Sequence, residues 1–222
     1  MLRTSTIKFL KDLRKHNNKP WFDQHRQDYE DAKADFSAFV QLVIDKHGKK
    51  DPGIAHLKAK DCIFRINRDV RFSKDKSPYK TNMGAYFNPE GKKSNLGGYY
   101  FHCEPGQSFV GGGIWMPLPA DLARIRQEID YNLDGFKKII SARKFKNVYG
   151  DLSRSPEYAL TRVPKGYEAD NPAADYLKLK SFVAMTPLSD SDLVSKDLVK
   201  KIQEAFETLL PLLRFMNESI RG

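Results

Sequence analysis

The stretch at 97–115, GGYYFHCEPGQSFVGGGIW, leaves a chain little choice of local fold. Pro105-Gly106 suits the centre of a tight turn, because proline presets φ and glycine accepts the positive φ that follows. On either side stand runs rich in aromatic and β-branched residues, a strand composition. The stretch predicts a β-hairpin. A four-residue turn also sets its register, with Glu104 opposite Gln107, His102 opposite Phe109 and Tyr100 opposite Gly111. Large aromatics then face three glycines, Gly111 to Gly113. Glycine inside a strand marks a bulge or a close approach by another group. Close packing of Tyr99, Tyr100 or a helix on the sheet accounts for it more simply than a ligand.

Other segments extend this picture. Cys62, Phe64 and Ile66 alternate with Ile63, Arg65 and Asn67, which predicts a strand with Arg65 and Asn67 on the face opposite Phe64. MGAYFN at 83–88 and SFVAMTPL at 181–188 read as two more strands. Before them, Thr4 or Ser5 can cap a helix with Ile7, Phe9, Leu10 and Leu13 on one face. Pro20 opens a second helix running to about His47, striped by Phe22, Tyr29, Phe36 and Val43, with Gly48 at its end. Helices are expected at 119–131 and 133–141, a short one from Asn171-Pro172 to Leu177, and a closing one at 195–217. The resulting class is α+β: one domain over 1–222, with an antiparallel sheet of about four or five strands and flanking helices. Its parts are helical 1–48, sheet 60–116, helical 119–178, a last strand at 180–188 and the closing helix.

With 222 residues, 40% of them hydrophobic, the chain can bury a proper core. The formal net charge of +10 favours anionic partners: a nucleotide, a phosphorylated metabolite or nucleic acid. Cys62 and Cys103 form no CxxC pair, so neither a zinc knuckle nor a disulfide framework is suggested, and both read as small buried thiols. The amphipathic start, MLRTSTIKFLKDLRK, lacks the apolar core of a secretory signal. No stretch reaches the apolar length of a membrane span. The expectation is a cytoplasmic protein with no membrane association.

Charge gathers most densely between Arg65 and Asn82. Arg65, Arg68, Arg71, Lys74, Lys76 and Lys80 stand here against only Asp69 and Asp75. Arg65 interrupts an apolar strand, where its fork could take a carboxylate or phosphate in two bonds. Pro78 and Tyr79 predict a structured loop rather than a floppy one. The candidate ligand-binding set is Arg65, Asn67, Arg68, Arg71, Lys74, Lys76, Tyr79 and Lys80, with Phe72 and Tyr79 placed to stack on a base. The plainer alternative is a solvated charged hairpin, Asp69 holding Arg71 or Arg65 and Asp75 holding Lys74 or Lys76.

Two further constellations carry chemistry. His102 and Glu104 share a strand face with Tyr100, a spacing that could supply an acid–base pair, with Asp69 as another proton carrier. A metal is not suggested, since no third ligand is readable unless His25 crosses that face. Asn17, Asn18, Lys19 and Trp21 stand at the mouth of the second helix, where capping explains them. The nucleophile elbow, the P-loop, the dinucleotide fingerprint and the zinc-helix and deaminase signatures are all absent. Three functions follow as expectations: a binding module for a phosphate-bearing ligand, an enzyme on a small anionic substrate, or an interaction domain for an acidic protein. Which cofactor, if any, the chain uses is unknown from the sequence.

FLKDLRKHNNKPWFDQHRQDYEDAK, CIFRINRDVRFSKDKSPYKTNMGAYF, GYYFHCEPGQSFVGGGIW and ADYLKLKSF, taken in order, span nearly the whole chain. Together they resemble the DUF2461 family, also called TIGR02453, and the arginine-lysine block is the most specific part. The resemblance implies a single-domain, cytoplasmic-type protein of mostly bacterial and some fungal members. That family has unknown function, so no catalytic residue is carried over from it.

Overall fold

The hairpin forms as its turn residues require. In the computed structural model, which describes residues 1–222, strands β1 (Met83–Phe87), β2 (Gly98–Cys103), β3 (Ser108–Ile114) and β4 (Phe182–Leu188) make one antiparallel sheet in that order. The Gln107 amide donates to the Glu104 carbonyl at 2.8 Å and closes the turn between β2 and β3. Helices α1 (Thr4–Lys15), α2 (Lys19–Gln24), α3 (Arg26–His47) and α4 (Ala59–Cys62) precede the sheet. Helices α5 (Pro119–Tyr131), α6 (Leu133–Ser141), α7 (Arg143–Tyr149) and α8 (Ala174–Leu177) lie between β3 and β4, and α9 (Asp190–Leu193) and α10 (Leu198–Arg221) follow. The class is α+β, as the pattern of elements predicts.

Three local expectations are corrected. The 62–67 stretch is no strand: after α4 it makes only isolated bridges, Ile63 to Ala85 and Asn67 to Tyr79. Its alternation fails with it, since Phe64 is 40% exposed while Ile66 is buried. The second helix is two, because the chain bends at His25, whose φ of −107° is not helical. Neither Thr4 nor Ser5 caps α1. Its N-cap is Arg3, and Asp35 of α3 serves from across, accepting from the Arg3 amide at 2.9 Å and the Thr6 hydroxyl at 2.6 Å.

The chain divides into two compact units. Unit 1 is Met1–Lys92, Tyr100–Val110 and Pro187–Glu204; unit 2 is Lys93–Tyr99, Gly111–Thr186 and Ala205–Gly222. Strands β2, β3 and β4 and helix α10 each contribute residues to both.

In unit 1 the period of two along β2 sorts side chains cleanly. Phe101 and Cys103 point into the core, where Phe36 and Phe39 of α3 lie 5.8 and 5.6 Å from the Phe101 ring. Tyr100 and His102 take the opposite face, half-buried. A second aromatic cluster joins α1, α2 and the basic segment: Phe9, Phe22 and Tyr29 pack together, and Tyr79 stacks on Phe22 at 3.9 Å. Trp21 sits between His25 and His16, with ring centroids at 4.1 and 5.7 Å.

In unit 2, Tyr99 stacks on Phe206 of α10 at 4.5 Å, and the buried Tyr149 hydroxyl donates to the Ala205 carbonyl at 2.6 Å. The glycine run lies here. A Cβ on Gly111 would stand 2.1 Å from the Ala184 carbonyl oxygen, and one on Gly113 2.0 Å from that of Phe182, both on β4. A Cβ on Gly112 would meet the Gly98 oxygen at 2.3 Å and Leu209 of α10 at 2.7 Å. Neighbouring strands and a helix fill the space over these glycines, so packing explains them. Trp115, just past β3, is half-exposed and meets Tyr158 edge-on at 4.5 Å.

Candidate functional site

Unit 1 holds all the residues singled out from the sequence as candidates for ligand or proton chemistry. The basic segment is a loop tied at its base by two backbone bonds, the Arg68 amide to the Pro78 carbonyl at 2.9 Å and the Lys80 amide to that of Ile66 at 2.8 Å. Asn17, following α1, grips the same base. Its side-chain amide donates to the Tyr79 carbonyl at 2.9 Å and accepts from the Tyr79 amide at 3.1 Å, replacing a strand partner. Asn18 accepts from the Trp21 amide and caps α2. Both asparagines thus have structural work.

Within the loop the cations divide by partner. Arg68 turns inward: its guanidinium meets Asp75, the Ser77 carbonyl at 3.1 Å and the Ser73 hydroxyl at 3.3 Å. Asp75 also accepts from the Ser77 amide and hydroxyl. These two bonds first, and Arg68 next, hold its carboxyl down at about 2. Asp75 therefore takes Arg68, where the sequence suggested Lys74 or Lys76. Arg71 makes two bonds to Asp69, at 2.9 and 2.7 Å, which lower that carboxyl. An ionised, arginine-paired Asp69 is poorly suited to carry a proton near neutrality. Lys76 donates to the Val70 carbonyl at 3.0 Å. Phe72 is 96% exposed at the tip, with the Arg71 guanidinium 5.9 Å from its ring. Tyr79 is buried against Phe22, so its ring is closed to stacking on a base.

Arg65, Lys74 and Lys80 make no ion pair within 4 Å, and Asn67 is exposed. The Lys80 ammonium lies 5.5 Å from the Phe64 ring centroid, and that of Lys92 lies 5.6 Å from it. Lys92 also donates to the Ile63 carbonyl at 2.6 Å. Burial first, then the charge of Arg65, pushes the Lys80 amine below its ordinary value. Two ammonium groups thus stand over one exposed aromatic ring, and the charge of Arg65 is felt at one of them. Sequence reasoning missed Lys92, which stands outside the dense charge run, and Phe64, which alternation assigned to the core. The segment NPEGK, a turn that returns the chain after β1, was the available signal for Lys92.

His102 of β2 and Glu104 just after it are in contact, 3.0 Å apart, and Tyr100 and Thr81 join them. Arg14 of α1 reaches Glu104 at 3.2 Å. Sequence reasoning missed Arg14 and Thr81 as partners of Glu104. The two cysteines are buried, and burial pushes the Cys62 thiol up to about 11 and that of Cys103 to about 12. No group of three or more His, Cys, Asp or Glu converges on a point where a metal ion could be held.

The architecture is an α+β protein with a braced basic loop beside a polar strand face. A family model described as a conserved hypothetical protein, DUF2461, matches residues 5–215, and the chain belongs to that family. No curated protein and no solved structure matches it significantly.

Proposed function

We propose that the protein binds a phosphate-bearing ligand, a nucleotide or nucleic acid, at the surface that Arg65, Lys80 and Lys92 form around Phe64. The observation that carries this is Lys80. It is a half-buried ammonium with no carboxylate partner, beside Arg65 and above an aromatic ring. Desolvated like charges raise one another's energy, and a bound anion relieves both costs. Arg68 acts differently here from its sequence-based assignment, bracing the loop with Asp75 rather than meeting the ligand. Arg71, with Phe72 at the tip and Lys74 nearby, would extend the surface for a longer polyanion.

Thermal melting across nucleotides, phosphorylated metabolites and short oligonucleotides tests this. A ligand at a hundredfold excess over its dissociation constant should add about 2.7 kcal/mol of stability. The gain should vanish in Arg65→Ala/Lys80→Ala and survive in Arg71→Ala for a small ligand. A polyanion will lose affinity steeply with salt, and a mononucleotide only mildly. If no ligand stabilises the wild type, or the double variant responds equally, the reading is wrong.

A further inference from the structure

The polar chain that runs from β2 into the turn after it ends on a phenol at one side and a carboxylate at the other. Glu104 is half-buried. Burial pushes its carboxyl up, but the bonds from His102 and Thr81, with the charge of Arg14, outweigh this and leave it lowered. An ionised carboxylate can only accept, so His102 Nε2, 3.0 Å from Glu104 Oε2, carries a proton. In the neutral ring Nδ1 is then bare, and it accepts from the Tyr100 hydroxyl at 3.1 Å. The ring face of His102 is stacked on Phe109, with centroids 4.7 Å apart and planes at 14°. Both nitrogens and a face of His102 are therefore taken. Glu104 Oε1 is filled by Thr81 at 2.7 Å and Arg14 at 3.2 Å. The Tyr100 oxygen, having donated its proton, still has acceptor lone pairs to offer.

Gly84 makes this placement possible. A Cβ there would lie 2.5 Å from Tyr100 Oη, so any other residue would drive the hydroxyl from its position over β1. Burial, and then the Glu104 charge, push the phenol up to about 12, so it keeps its proton until a base removes it. The order hydroxyl, imidazole, carboxylate is the logic of an activated nucleophile, with the third group orienting the second.

We propose that Tyr100 is a nucleophile, that His102 accepts its proton, and that Glu104 holds the resulting imidazolium. The electrophile is a phosphoryl group of the ligand, a choice that rests on the anion-binding reading; Phe64, 6.3 Å from Tyr100 between ring centroids, is common to both sites. In the step, the Tyr100 Oη–P bond forms as the P–O bond to the leaving group breaks. The leaving oxygen departs with the electron pair and takes a proton from water, releasing hydroxide, while the phenolic proton passes to His102 Nδ1.

A neutral electrophile tests the relay without the anion surface. With benzenesulfonyl fluoride the Tyr100 O–S bond forms, fluoride leaves and the proton again goes to His102. Peptide mass mapping of the folded protein over time gives the rate at each of the ten tyrosines. Tyr100 should react about a hundredfold faster than Tyr131, which is 92% exposed. Glu104→Gln, which removes the charge and turns one of the two accepting oxygens into a donor, and His102→Asn should each erase that advantage. Anion binding is read apart from this, from the thermal stabilisation of the wild type by nucleotides, so a failure of anion binding and a failure of the relay give different results. Wild-type Tyr100 reacting no faster than Tyr131 would overturn the proposal, whether or not the variants fold.

Discussion

At Gly113 the backbone has a φ of +126°, and β4 approaches so closely that no side chain fits. Alanine there must adopt a backbone conformation that L residues avoid and also displace the Phe182 carbonyl. Gly113→Ala should lower the unfolding free energy by about 2 kcal/mol or more, read from urea denaturation. A loss within about 0.5 kcal/mol, typical of an unremarkable surface change, would mean that β4 yields freely. Gly84 is a different case. Its missing side chain makes room for a phenol rather than a strand, so substitution should cost reactivity at Tyr100 as well as stability.

The basic loop behaves as an element although it contains no regular structure. Its brace is the cluster of Arg68, Asp75, Ser73 and Ser77, and its anchor is Asn17 on Tyr79. Asp75 titrates from an ordinary 3.8 down to about 2 in the fold. A depressed folded value means that the ordering it supplies is fully present above about pH 4 and is lost as pH falls through about 2. NMR signals of the Ser77 and Arg68 amides should therefore hold their folded positions at pH 5 and move toward random-coil values below pH 3. Positions unchanged down to pH 2 would show that Asn17 and the stacked Tyr79 hold the loop alone. Turn chemistry and period made the hairpin, the order of helices and the last strand legible in the sequence, because each depends on neighbours in the chain. The segment at 62–67 misled because an edge that pairs only through Ile63 and Asn67 imposes no alternation. Likewise, the basic run showed where cations concentrate but not which of them are spent. That Asp75 takes Arg68 rather than an adjacent lysine depends on how the loop folds back, which spacing does not encode.

Over the whole molecule, the net +10 does not say which cations a ligand meets. Arg14, Arg68 and Arg71 are committed to carboxylates, and Lys11 and Lys201 are held by Asp190 and Asp192. Lys80 and Lys92, both over Phe64, are in no such pair. No helix is long and apolar enough to cross a membrane. The chain has two tryptophans, Trp21 in unit 1 and Trp115 in unit 2, so each unit carries its own fluorophore. Trp21→Phe leaves an emission that reports unit 2, and Trp115→Phe one that reports unit 1. Three strands and the last helix run through both units, so melting one truncates elements of the other. The two emission transitions should coincide in denaturant, the optical signature of a single cooperative unfolding event. Separated midpoints would instead reveal two foldons strung on shared strands.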